Sequence, residues 1–94
     1  MEVGLFYLPS LGRKEDIEAG MAGKRTDLYQ MMLGEITEQL QYADEFGYYG
    51  CGTTEHHFHI EGEEVSTNPV LLNTYFGSKT KNMKFGQLLH QIFI

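Results

Sequence analysis

The sequence predicts an α/β fold with a parallel sheet, and three observations carry the prediction. The opening run "VGLFYLPS" is almost continuously apolar, as suits a strand covered on both faces. Leu28, Met32, Ile36, Leu40 and Ala43 recur at steps of four and three, the spacing of one helical face. Strand-like and helix-like segments then alternate in the order β-α-β-α-β, which implies parallel strands joined by helical crossovers.

The elements follow in chain order. Pro9 and Ser10 end the first strand. The next stretch, "LGRKEDIEAGMAGKR", mixes glycines with charges and has little periodicity, so it reads as a long, mobile connection. Thr26 and Asp27 offer an N-cap to the long helix. Glu35, Glu38, Gln39 and Asp44 fall largely on the side away from its apolar stripe, and Gly47 suits the left-handed residue that closes it. "YYGCGTT" is the second strand, with glycines that weaken ordinary packing and suggest a close approach to the backbone. Asn68 and Pro69 look like the cap and first position of a shorter helix through "VLLNTYFGSKT". "KFGQLLHQIFI" is a third strand running to the last residue.

A chain of 94 residues suits one small domain. Its net charge of −6 argues against nucleic acid or an anionic membrane as partner, since both favour a basic surface. The single cysteine, Cys51, excludes an intramolecular disulfide and fits a reducing compartment. No secretory signal pattern opens the chain, and the apolar end from Phe85 to Ile94 is shorter than the roughly 20 residues of a membrane helix. The expected location is the cytoplasm.

Chemistry concentrates in "GTTEHHFHIEGEE", Gly52 to Glu64, with three histidines and four glutamates directly after the second strand. Parallel α/β proteins bind ligands at the carboxyl ends of their strands, and this stretch lies at one. Two apart in an extended segment, His57 and His59 share a side, and with Glu55 or Glu61 they resemble a nitrogen and oxygen set for zinc or iron. No HExxH helix or cysteine pair supports that metal reading, and no metal is assigned. A histidine beside a carboxylate also suits proton transfer near neutrality. Glu55 and His57 should share one face while His56 projects from the other. Histidines that merely cap the strand and bond backbone carbonyls fit the pattern slightly better on chemistry alone.

"GTTEHHF" after an apolar strand, a glycine-containing acidic loop and then "NP" opening a helix resemble the bacterial luciferase family of flavin-dependent monooxygenases and their deazaflavin-dependent relatives. "VGLFYLPS", the helix end from Ala43 to Tyr48, and "MKFGQ" from Met83 to Gln87 extend the likeness over nearly the whole chain. The resemblance implies a portion of a TIM (β/α)8 barrel, truncated, because a whole barrel needs roughly 250 residues. It implies reduced FMN as cofactor, with a deazaflavin as the alternative, and oxidation of a small organic substrate by dioxygen. His56, first of the histidine pair, carries the family's catalytic position, with Glu55 and His57 as neighbours that orient it. Gly50, Gly52 and Thr54 are the candidate cofactor contacts; the glycines would let a ring system approach, or else allow tight packing against the strand. The family's phosphate contacts come mainly from later strands and loops, so the resemblance does not imply that these 94 residues alone bind flavin or turn over.

Two other readings remain open from the residues. One is a non-catalytic module that assembles with itself, because two helices barely cover a three-stranded sheet. Tyr7, Leu8, Leu88, Ile92 and Phe93 would then be partly exposed, with a dimer or larger oligomer using the segment from Phe85 to Ile94. The other is a small metal-binding protein using His57 and His59.

Overall fold

The computed structural model describes residues 2–88. Three parallel strands, β1 (Gly4–Tyr7), β2 (Gly50–Thr54) and β3 (Lys84–Leu88), form one sheet in the order β1-β2-β3. Leu5 pairs with Cys51, and Cys51 with Phe85; Phe6 pairs with Gly52, and Gly52 with Gly86. Residues in register point to the same side of a parallel sheet, and side chains alternate along each strand. Leu5, Cys51 and Phe85 therefore share one face, and Phe6, Gly52 and Gly86 the other.

The helices cover the first of these faces. Helix α1 spans Lys14–Ala19, α2 spans Thr26–Glu45, and α3 spans Pro69–Ser78. The expected stripe of α2, from Leu28 to Ala43, is buried throughout and packs with Cys51, Leu72, Phe76 and Met83. Leu5, Tyr7 and Phe85 close against this core from the sheet. Gly47 takes the left-handed conformation after α2, at φ 84°. Asn68 caps α3 by accepting the Leu71 N–H at 3.0 Å, with Pro69 at the first turn where its missing N–H costs nothing.

Three expectations need correction. β1 is not buried on both faces: Phe6 is 54% and Leu8 45% exposed, because no described element lies over the second face. The connection 11–25 is not a long irregular loop. It holds α1 and a 3-10 turn at Ala22–Lys24, and Leu11 and Ala22 are buried. Backbone bonds fasten it to the segment after β2: Leu11 N–H to Gly62 O at 2.8 Å, and Gly23 N–H to Ile60 O at 2.7 Å. Val65 N–H returns a third bond to Pro9 O at 2.7 Å. Such bonds supply order that local periodicity cannot reveal.

The third correction concerns the start of α2. Thr26 is its first residue rather than its cap; Arg25 takes the cap position and its guanidinium meets Asp27 at 2.6 Å and Asp16 at 3.3 Å. These groups are solvent-exposed, so the pairs contribute little stability. In β3, Phe85 turns toward α3 and packs near Gly77. The remainder of the expected third strand, with Ile92 and Phe93, lies outside the described residues, and so does the side chain of Leu88. Among the described residues no helix is long and apolar enough to cross a membrane.

Candidate functional site

β2 is the central strand, and its carboxyl end delivers the polar stretch. Gly50 is buried, and a Cβ there would lie 2.6 Å from Lys84 O of the neighbouring strand, so the sheet itself requires a glycine. Gly52 lies between Phe6 and Gly86 on the helix-free face. A Cβ at Gly86 would meet nothing within 4 Å, so among the described residues this face is open beside Gly52. Thr54 follows on the same face. Its hydroxyl is buried and finds no hydrogen-bond partner among the described residues.

Thr53 points the other way, into the helical layer. Its hydroxyl donates to Asn73 Oδ1 at 3.1 Å, and Asn73 Nδ2 donates to Gly86 O at 3.1 Å. Both residues are buried, so this linkage satisfies polar groups that would otherwise be costly, and it locks α3 over β2 and β3.

The three histidines each find a carboxylate. His57 Nε2 lies 2.9 Å from Glu55 Oε2, and His59 Nδ1 lies 3.0 Å from Glu61 Oε2. His56 Nε2 meets Glu64 Oε2 at 2.5 Å, while its backbone N–H donates to Ser66 O at 2.9 Å. Glu55 and His57 thus act as one pair and His56 belongs to another. The His57 pair is the more exposed, with side chains at 51% and 37%, against 23% and 26% for His56 and Glu64. The His56 pair lines a cleft of about 340 Å³ with Gly23, Tyr29, Phe58 and Val65. A histidine and carboxylate in direct contact can hold a proton between them and release it to a third group in that cleft.

His57 and His59 are not gathered as a ligand pair: His57 bonds Glu55, and the imidazole and carboxylate gathered with His59 are those of His56 and Glu64. Instead the rings of His56 and His59 meet edge to face, with centroids 5.4 Å apart. Sequence reasoning missed Glu64 and Ser66, which no spacing rule links to His56. Ser66 is 1% exposed and its hydroxyl also lacks a partner among the described residues.

Cys51, one position from Gly52, is no nucleophile. Burial pushes its thiol up to about 11, because an apolar surrounding disfavours the thiolate. A shift of two units from the reference value of 9.0 leaves about a hundredfold less thiolate below pH 9. Iodoacetamide at pH 8 should therefore alkylate the native chain about a hundredfold more slowly than the urea-unfolded chain. Equal rates, read by mass spectrometry, would show that the thiol is accessible and ionised in the fold.

No protein-family model matches the chain, and no curated protein does. Among solved structures, the chain is similar to the oxygenating constituent of 3,6-diketocamphane monooxygenase from the CAM plasmid of Pseudomonas putida. That protein is a type II Baeyer-Villiger monooxygenase solved in complex with FMN. The similarity covers 96% of this chain at 27% identity, with a TM-score of 0.67. The chain resembles part of a luciferase-like flavin monooxygenase. It spans only 21% of the length of that protein, so the likeness is to one sector of a β/α barrel. The likeness drawn from "EHHF" and "NP" holds, and with it the α/β class.

Proposed function

We propose that this chain contributes the His56 sector of a flavin-dependent monooxygenase site, acting with reduced FMN and dioxygen on a small organic substrate. What carries the reading is the alignment of 96% of the chain with an FMN-bound monooxygenase. The residues present fit the ring end of a flavin. Thr54 offers a buried hydroxyl that lacks a partner, and Gly52 and Gly86 leave the sheet face beside it open to a planar group. The flavin, when bound, supplies the electrons that activate dioxygen. His56 acts as base or hydrogen-bond partner at the reacting edge, with Glu64 holding its Nε2. Glu55 and His57 orient the segment from its more exposed side. A deazaflavin would use the same open face.

Titration of the chain with reduced FMN under anaerobic conditions, followed by absorbance, tests this. The expected result is a saturable spectral change, weakened about tenfold in His56→Ala and in Thr54→Val, the loss expected when one hydrogen bond of about 1.4 kcal/mol is removed. A flavin spectrum unchanged at saturating protein would overturn the flavin role for this chain.

One observation favours a second reading, a self-assembling module. Phe6 and Leu8 stand exposed on a sheet face that no described element covers. A second copy of the chain would bury that face and serve the open edges at β1 and β3.

A further inference from the structure

We infer that His56, His59 and Glu64 form a divalent-metal site with zinc-type chemistry, a role separate from the flavin reading although it uses two of the same residues. One ligand atom from each of the three lies within 4.8 Å of the others, the only such group of three among the described residues. Two imidazole nitrogens and one carboxylate oxygen make a donor set that Zn²⁺ accepts at about 2.0–2.2 Å, with further positions left for solvent or substrate. His56 Nε2 and Glu64 Oε2 are in contact, and ligand atoms on a tetrahedral ion lie about 3.3 Å apart, so binding would open this pair slightly and draw His59 toward it.

Three further features point the same way. Glu61 holds His59 Nδ1 at 3.0 Å, and a carboxylate on one ring nitrogen orients a histidine whose other nitrogen binds metal. The cleft of about 340 Å³ opens directly onto His56, His59 and Glu64, which gives an ion a path of entry and room for an exogenous ligand. The backbone is bent to bring the group together. Phe58 and Glu64 both adopt positive φ, at 68° and 53°, conformations that non-glycine residues rarely take. The turn at Phe58 lets His56 and His59, three apart, place their rings in contact, whereas an extended segment would point them to opposite sides. Phe58 itself is 98% exposed, so its packing does not explain the bend.

The test is titration of the metal-free chain with Zn²⁺ by calorimetry, with Co²⁺ absorbance as a report of coordination. One equivalent should bind per chain. His59→Ala and Glu64→Gln should each weaken binding by about tenfold or more, and Glu61→Gln by about tenfold through loss of the orienting carboxylate. His57→Ala should bind zinc as the parent does, because His57 sits with Glu55 outside the group. Absence of saturable binding by the parent would overturn the proposal, and so would equal affinity of the parent and Glu64→Gln. Circular dichroism of each variant shows whether it is folded; the parent titration decides the matter if His59→Ala is not. The two functional readings share His56 and Glu64 but not His59. His59→Ala should therefore cost zinc while leaving the flavin titration unchanged, so either can fail without the other.

Discussion

Replacing Phe76 by alanine should leave the chain only marginally folded at room temperature. Phe76 is fully buried, lies on the inner side of α3, and belongs to the cluster that joins α2 to the sheet. Truncating a buried phenylalanine costs about 3–5 kcal/mol, the sum of lost transfer energy and an unfilled cavity. A chain of this size has a margin of only about 5–14 kcal/mol, from about 0.05–0.15 kcal/mol per residue. One sheet face contributes little burial here, which places this protein toward the lower end. Urea unfolding followed by circular dichroism should show the midpoint falling by more than about 1 M, given slopes of about 1–3 kcal/mol per M. Phe76→Leu should retain most of the stability, since it preserves apolar contact. A midpoint for Phe76→Ala equal to that of the parent would show that α3 does not hold the core together.

The second large effect concerns assembly. Phe6 and Leu8 are about half exposed, and they stand beside Gly52 and Gly86, which contribute no side chains to cover them. Covering apolar surface is worth about 25 cal/mol per Å², so a few hundred Å² on each copy amounts to several kcal/mol before the cost of association. Light scattering across a dilution series should therefore show a dimer or larger species at micromolar concentration. Phe6→Lys should shift it to monomer, because a charge on that face is costly to bury. A parent chain that stays monomeric and folded throughout would show that the bare face is tolerated in water.

The long helix was legible because its signal is local. Five apolar residues at helical spacing bury together, and Asn68 with Pro69 marks the start of α3 from side-chain chemistry alone. Helix α1 was not legible. Its six residues "KEDIEA" include no buried position, and its neighbours are held by backbone bonds to residues far along the chain. The candidate site was legible in part. The strand end, the Glu55–His57 pair and the separate orientation of His56 follow from alternation along an extended segment. The meeting of His56 with His59 and Glu64 does not, because it depends on left-handed residues that are not glycines. Periodicity carries no trace of them. The expected double burial of β1 failed for a related reason: an apolar run states what a strand prefers, not what the rest of the chain provides.

The three backbone bonds that join the residues after β1 to those after β2 also bear on the order of events during synthesis. Leu11 and Gly23 leave the ribosome well before Gly62 and Ile60, whose carbonyls accept from their N–H groups. Chains emerge at about 5–20 residues per second, so the earlier segment waits some seconds for its acceptors. During that interval Leu11 and Ala22, both fully buried in the finished fold, lack the segment after β2 that completes their surroundings. Closing loops of this length carries an entropic cost that only the completed β2 segment can offset. The bonds that fasten residues 9–23 to the segment after β2 therefore form late although those residues are made early.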